Sequence, residues 1–422
     1  MNKNNLTYIH EIWTKANSFY GQTNPIDLIK NYGSPLYVYN ENILRQRCRD
    51  LKNLIPYPNF RVNYSAKANT NPSLLRIVRS EGLSVDAMSA GEIFLELQAG
   101  YQPEEIFFVG NNVSDDEIAY AVKTGVLFSA DSLSQLERYG RLNPGGKVAV
   151  RINPGIGAGH HEKVITAGDK TKFGINPVFI DEIKSILTRY QLRLVGINQH
   201  IGSHFMSANS FLKAVSFILA FAADFPDLEF VDLGGGFGIP YHKERGEKPM
   251  NLKSFGKKLQ KSLDLEIKKS DRQLTIMIEP GRYVAAECGV LLGQVHAIKE
   301  SGGKKYIGTD LGFNVLVRPI MYDAYHDLEI YSDTARNTTI TETVTVVGNI
   351  CESGDIIAKD RTLPVIAEGD ILGVLDAGAY GMSMSSNYNC RLKPAEVLID
   401  SQGHDHLIRK RDQLEDLVRQ FI

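Results

Sequence analysis

Between residues 61 and 278 the chain alternates eight times between a short apolar run and a segment whose apolar residues recur at helical spacing. The strand-like runs are 61–66, 83–87, 106–110, 126–130, 147–153, 192–200, 229–233 and 275–278. The segment 72–80 carries Leu74, Leu75, Ile77 and Val78. The segment 91–99 carries Ile93, Phe94, Leu95 and Leu97, and 115–124 carries Ile118, Ala119, Ala121 and Val122. These spacings make one face of a helix, and Ser89, Ser114 and Ser132 stand where N-caps belong. Eight strands alternating with helices predict a (β/α)8, TIM-like barrel. An open doubly wound sheet uses the same alternation. The barrel is preferred because eight units suit closure and no early dinucleotide fingerprint appears.

After about residue 285 the pattern turns β-rich, with runs at 290–297, 343–347, 371–375 and 395–399. Gly354-Asp355 and Gly369-Asp370 are turn signals between them. The strand-like 35–39 would join this second, mainly β domain. The expected division is therefore a barrel at 41–285 and a discontinuous β-rich domain at 1–40 and 286–422. The polar stretch 323–341 reads as a loop. A length of 422 residues is too great for one ordinary core, which agrees with two domains.

The bulk numbers exclude more than they assign. A net charge of -2 gives no reason to expect nucleic acid or an anionic membrane as partner. Cys48, Cys288, Cys351 and Cys390 form no metal-ligand spacing, so no metal is expected and a reducing compartment is the simpler reading. Residues 1–22 hold no apolar stretch suited to a signal peptide, and no run approaches the ~18 apolar residues of a membrane span. A cytoplasmic location is expected.

Three motifs end strand-like runs. Lys67 lies in Tyr64-Ser65-Ala66-Lys67-Ala68-Asn69, Gly234-Gly235-Gly236 follows Val231-Asp232-Leu233, and Glu279-Pro280-Gly281-Arg282 follows 275–278. In a parallel barrel those ends converge on the face that carries active sites. A desolvated lysine has a usable amine. Three glycines let backbone N–H groups close on a phosphate. A carboxylate keeps a pyridine nitrogen protonated. Together they suggest a pyridoxal 5'-phosphate (PLP) site. His200 and Ser203, after the sixth run, could stack on a ring and bind a phosphate. Cys351, in Cys351-Glu352-Ser353-Gly354-Asp355, could donate a proton. Arg318 and Tyr322, with Arg282, could bind a carboxylate at the far end of a substrate. Alone, each has a plainer reading: a solvated lysine, a tight turn, a salt-bridged glutamate, a core histidine, a structural cysteine, a surface arginine.

Taken together, the motifs resemble the alanine-racemase-like (fold type III) PLP-dependent decarboxylases over nearly the whole chain and in the same order. Asp86-Ala87-Met88-Ser89-Ala90-Gly91-Glu92, Asn153-Pro154-Gly155, Lys172-Phe173-Gly174-Ile175 and Gly378-Ala379-Tyr380-Gly381 also match in place. The resemblance implies that Lys67 is the Schiff-base lysine and that His200 stacks on the ring. It implies that Glu279 pairs with the pyridine nitrogen. Ser203, Gly234, Gly235, Gly236, Pro280, Gly281, Arg282 and Tyr380 would serve the cofactor and its phosphate. Arg282, Arg318, Tyr322, Glu352 and Tyr380 would contact the substrate, and Cys351, or else Lys67, would return the proton. In the family the Cys351 segment reaches the partner subunit's site, so a homodimer is implied.

The reaction implied is decarboxylation of meso-2,6-diaminopimelate to L-lysine. Glu352 favours that substrate, because ornithine-type relatives place an aspartate there. Ornithine, arginine or a carboxylated polyamine precursor are the alternative substrates, and a non-catalytic PLP-binding relative is the alternative class. An alanine racemase would put an arginine where this chain has Glu279. Ser65 and Ala90 fall at loosely specified positions. Asn389-Cys390-Arg391-Leu392-Lys393-Pro394 departs from the family's wording and leaves Cys390 unexplained.

Overall fold

The computed structural model describes residues 6–157, 166–168, 171–270 and 273–422. Two strands, β1 (Thr7–His10) and β2 (Leu36–Asn40), precede β3 (Phe60–Ser65), β4 (Ser84–Ala87), β5 (Ile106–Phe108) and β6 (Leu127–Ala130). These are followed by β7 (Lys147–Arg151), β8 (Arg193–Asn198), β9 (Phe230–Asp232) and β10 (Thr275–Ile278). Strands β3 to β10 close into a barrel in the order β10-β3-β4-β5-β6-β7-β8-β9, every pair parallel. The expected (β/α)8 barrel is therefore present, and the open sheet is excluded.

The barrel is filled rather than hollow. Phe107, Val109, Ala149, Val195, Phe230 and Met277 pack into one buried cluster, the five larger side chains each contributing on the order of 2 kcal/mol of burial. Gly196 leaves the space that the Phe230 ring occupies, since a Cβ there would overlap it. A filled barrel leaves the C-terminal strand ends as the place for chemistry. The expected caps hold the helices. Ser89, Ser114 and Ser132 accept from the N–H groups of Glu92, Glu117 and Gln135, each at 3.2 Å. Each such cap stabilises its helix by about 1 kcal/mol.

The chain divides into two compact units: Arg45–Ile239 with Pro249–Val284, and Met1–Leu44 with Pro240–Lys248 and Ala285–Ile422. The second unit adds β11 (Gly289–Ser301), β12 (Lys304–Thr309), β13 (Leu328–Ser332) and β14 (Thr341–Val347). It also holds β15 (Ile356–Pro364), β16 (Ile371–Val374), β17 (Ala395–Ile399) and β18 (Asp405–Arg409). With β1 and β2 these form one ten-stranded sheet. β2 lies between β11 and β17, and its Leu36 and Val38 pack with Val290, Leu292, Val397 and Ile399.

Two features depart from the expectation. The stretch read as a loop, 323–341, contains β13, all five residues buried and paired with β1 and β16. Its Glu329 makes the segment look solvated, yet the carboxylate is buried and accepts from the backbone N–H groups of Ile12, Trp13 and Thr14 at 2.9, 2.6 and 2.9 Å. Such a satisfied carboxylate belongs in a core. Second, Pro240–Lys248 groups with the β unit although it lies within the stretch expected as barrel. Lys243 Nζ sits 2.7 Å from both oxygens of Asp376 and 3.2 Å from Glu287. Among the described residues no helix is long and apolar enough to cross a membrane.

Candidate active site

At the C-terminal end of β3 the chain enters a short 3-10 turn, Ala66–Ala68, that carries Lys67. Beneath the turn, Ser65 Oγ donates to both oxygens of Asp86, at 3.1 and 2.8 Å. Lys67 Nζ lies 3.9 Å from Met88 Sδ. Burial pushes Asp86 well above the carboxylate range, the Glu279 charge adds to the rise, and Lys67 opposes it. Glu92 accepts from the Met88 N–H at 2.7 Å. One helical turn on, Glu96 is fully buried, and neither of its oxygens finds a partner among the described residues.

Burial pushes Glu96 up to about 10 from an ordinary 4.5. The folded protein thus keeps a proton there that the unfolded chain releases above the ordinary value. Stability falls as pH rises through that window, by up to about 1.4 kcal/mol per pH unit. Glu96→Gln, which needs no proton, is expected to be more stable than the wild type at about pH 8, with the difference closing near pH 4. Chemical denaturation at both pH values measures this.

The glycine loop after β9 is fixed from three sides. Gly234 and Gly236 have φ of +79° and +105°, which β-carbons disfavour. The Gly234 N–H donates to Asp232 Oδ1 at 2.8 Å, and the Glu279 N–H donates to the Gly234 carbonyl at 3.0 Å. The Gly235 N–H donates to His200 Nδ1 at 3.1 Å. Phe205 pins the next loop to this one: its N–H donates to Gly236 O, and its O accepts from Gly238 N–H, each at 3.0 Å. The Phe205 and Phe237 rings lie 5.2 Å apart. A Cβ on Gly235 would strike the Glu279 carbonyl oxygen, backbone against backbone. Gly235→Ala is therefore expected to destabilise the cofactor-free protein by about 3 kcal/mol, as an overpacked site does; an unchanged urea midpoint would contradict this.

Three side chains give the site its protonation pattern. Burial, with the Lys67 and Arg151 charges, holds His200 well below the ordinary imidazole range. It is neutral at pH 7, and because Nδ1 accepts from Gly235, the ring proton is assigned to Nε2. Glu279 is 5% exposed, and its Oε1 has no partner among the described residues. Burial pushes Glu279 well above its ordinary value and the Asp232 charge adds to the rise, while Lys67 and Arg151 oppose it. Burial brings Asp232 to about 7. The Glu279–Asp232 pair thus carries a proton at neutral pH. Arg282 Nη2 donates to Ser203 Oγ at 3.0 Å, and Gly281 lies so close to Ser65 and Ala68 that a Cβ would stand 3.0 and 3.1 Å from theirs.

These residues fit PLP. Glu279 offers a buried, orphaned oxygen for a ring nitrogen. The glycine loop is a cradle closed to any Cβ. Ser203 and Arg282 are paired polar groups on neighbouring loops. Among the described residues no group of three or more His, Cys, Asp or Glu is arranged to hold a metal ion.

The β unit holds Arg318, Tyr322, Cys351, Glu352 and Tyr380. Arg318 and Tyr322 share one short helix, Arg318–Tyr322. Arg318 is no surface arginine: it is 2% exposed, 2.7 Å from His326 Nε2 and 4.7 Å above the Tyr241 ring. His326 Nδ1 lies 2.7 Å from the Leu375 carbonyl, so Nδ1 carries the proton and Nε2 accepts from the guanidinium. Cys351 and Glu352 are exposed in a turn tied to 388–391, with the Tyr388 hydroxyl donating to Glu352 at 2.7 Å. Tyr380 has a φ of +58°, a strain that a bulky residue keeps where its position matters.

Asp86, Glu92, Asp131, Arg151 and Asp232 carry no role in the sequence reading, yet they set the electrostatics of the barrel end. Arg151 is 3.5 Å from Asp131 and lies over the Phe173 ring at 4.7 Å. The signal was present: Asp86, Arg151 and Asp232 stand in or at the last residues of barrel strands, and Asp131 directly follows one. His326 had no such signal.

Residues 41–286 match the family described as pyridoxal-dependent decarboxylase, pyridoxal binding domain. The chain is 40% identical over 418 residues to the diaminopimelate decarboxylase of Methanothermobacter thermautotrophicus, covering 97% of this chain and 96% of that one. It is 33% identical to the diaminopimelate decarboxylase of Escherichia coli strain K12, covering 94% and 95%. The crystal structure of diaminopimelate decarboxylase from Helicobacter pylori complexed with L-lysine superposes with a TM-score of 0.86 at 30% identity, covering 94% and 98%.

Proposed function

The chain belongs to the pyridoxal-dependent decarboxylases and, within them, to the diaminopimelate decarboxylases, and on that premise we propose that it releases CO2 from meso-2,6-diaminopimelate and leaves L-lysine, the last step of lysine biosynthesis. Identity of 40% along 97% of the chain carries this reading. The protonated, orphaned carboxyl of Glu279 beside a glycine cradle agrees with it.

PLP is the cofactor. Lys67 would hold its aldehyde carbon, and His200 would lie against the ring face. Glu279 would face the pyridine nitrogen. Ser203, Gly234, Gly235, Gly236, Pro280, Gly281, Arg282 and Tyr380 would hold the phosphate end. Bound there, PLP supplies an electron sink for the pair left on the α-carbon as CO2 departs. The remaining work falls to the chain's own residues. Glu279 holds a proton at the ring nitrogen, and Asp232 keeps that proton from being lost near neutral pH. A neutral His200 covers the ring without adding charge. Arg318, oriented by His326, and Arg282 bind substrate carboxylate. Tyr322 and Tyr380 complete the contacts, and Glu352 takes the ammonium at the distal end. Cys351 returns a proton to the α-carbon. Exposure of Cys351 and Glu352 on one turn suits a homodimer in which that turn serves the partner's site. A cytoplasmic location follows from the biosynthetic role.

Cys351→Ala is expected to lower kcat about 100-fold with little change in KM, the usual loss of a general acid; steady-state kinetics with near-wild-type kcat would assign the proton to Lys67. The substrate reading is tested by CO2 release from meso-diaminopimelate, L-ornithine, L-arginine and L-lysine in parallel. Release from meso-diaminopimelate with L-lysine formed supports it. Release from another of the four would keep fold and cofactor and overturn the substrate.

A further inference from the structure

Cys390 has no part in the chemistry above, yet it lies in a segment laced to the Cys351 turn. The Tyr388 hydroxyl donates to Glu352 at 2.7 Å. The Cys351 N–H donates to Asn389 Oδ1 at 3.0 Å. Arg391 Nη2 donates to the Asn349 carbonyl at 2.9 Å. The three contacts run in opposite directions along the two segments, 388 to 352, 389 to 351, 391 to 349. Cys390 therefore falls inside the laced stretch, opposite Ile350 and one residue from the position facing Cys351. Both thiols are free and exposed. Asn389 and Cys390 hold φ of +54° and +55°, strained values for non-glycine residues that are kept where the surroundings demand them.

We propose that Cys351 and Cys390 form a reversible redox-modification site, with Cys390 the resolving thiol that captures an oxidised Cys351. The oxidant class is a hydroperoxide. The Cys351 thiolate attacks the peroxide, the O–O bond breaks, and a sulfenic acid and an alcohol or water result. The Cys390 thiolate then attacks the sulfenic sulfur, the S–O bond breaks, an S–S bond forms, and water leaves. In sum, two thiols and one hydroperoxide give one disulfide, one water and one alcohol (a second water when the oxidant is hydrogen peroxide). The bond rests on the loop geometry alone. Loss of activity on oxidation rests in addition on the proposed role of Cys351, because a thiol held in a disulfide has no proton to give. A nearby resolving thiol diverts the sulfenic acid from the irreversible sulfinic state.

The test uses the reduced, PLP-loaded protein exposed to hydrogen peroxide, then peptide mapping and CO2 release. A linked Cys351–Cys390 peptide within one chain is expected. Activity is expected to fall about 100-fold, the loss of a general acid, and to return with dithiothreitol. Cys390→Ser should be fully active when reduced and should form no link; further peroxide should carry its Cys351 sulfenic acid to the sulfinic acid, a loss of activity that dithiothreitol does not restore. Absence of the linked peptide while the thiols oxidise singly overturns the proposal, as does a disulfide joining two chains on a non-reducing gel. A linked peptide with activity intact supports the bond and overturns the role given to Cys351, so the two failures are distinguishable.

Discussion

Lys67→Ala is expected to end catalysis, lowering kcat by roughly 10⁴-fold or more, while the protein remains folded. The residue sits in a partly exposed 3-10 turn between Ala66 and Ala68. Its backbone conformation makes no demand that alanine cannot meet. What is lost is the amine set among Asp86, Glu92 and Glu279, whose carboxyls all feel its charge. Without it PLP can bind only through its phosphate, ring face and ring nitrogen. The absorbance band of lysine-bound cofactor should disappear, and CO2 release with it. An unchanged band in the variant would remove Lys67 from the site. Melting curves of the cofactor-free proteins should nearly coincide, which separates this loss from misfolding.

Glu279→Gln is expected to cost about 10²- to 10³-fold in kcat, the scale of one preorganised group facing developing charge. Glutamine fills the same space beside Asp232 and the glycine loop but cannot hand over a proton. Stability should move the other way. Burial holds the Glu279 carboxyl protonated in the fold, so the stability of its neutral form is complete below the ordinary carboxyl range and shrinks as pH rises above it. The amide has no such penalty. The cofactor-free variant should therefore be at least as stable as the wild type at neutral pH while its activity falls. A variant that loses both together would mark Glu279 as structural only.

How much of this was legible depends on what each residue says locally. The eight barrel strands were visible because strands of a closed parallel barrel read as short apolar runs, and the helices between them carry faces and serine caps. The gathering of Lys67, Gly234 to Gly236 and Glu279 at one barrel end was visible because each closely follows a barrel strand. Strand Leu328–Ser332 was hidden by Glu329, a charge that three backbone N–H groups satisfy from residues more than 300 positions away. Pro240–Lys248 was hidden because its attachment to the β unit runs through Lys243 to Glu287 and Asp376, partners far along the chain. Arg318 reads as a surface arginine until His326 and Tyr241 are seen around it. Glu96 follows Glu92 by four residues on one helix, and nothing local sets the two apart. Only packing reveals that it is buried. Apolar periodicity records the frame of the fold; the state of a buried polar group depends on neighbours that sequence distance does not show.

The claim that the lysine, glycine and glutamate loops at one barrel end make the cofactor site has a direct test. The PLP-loaded protein is reduced with borohydride, which fixes the bond between the cofactor's aldehyde carbon and the lysine that holds it, and is then mapped by peptide mass. A single pyridoxyl group on Lys67, in the segment Tyr64 to Asn69, is the result predicted. A group on another lysine, or cofactor bound with no lysine labelled, would contradict it.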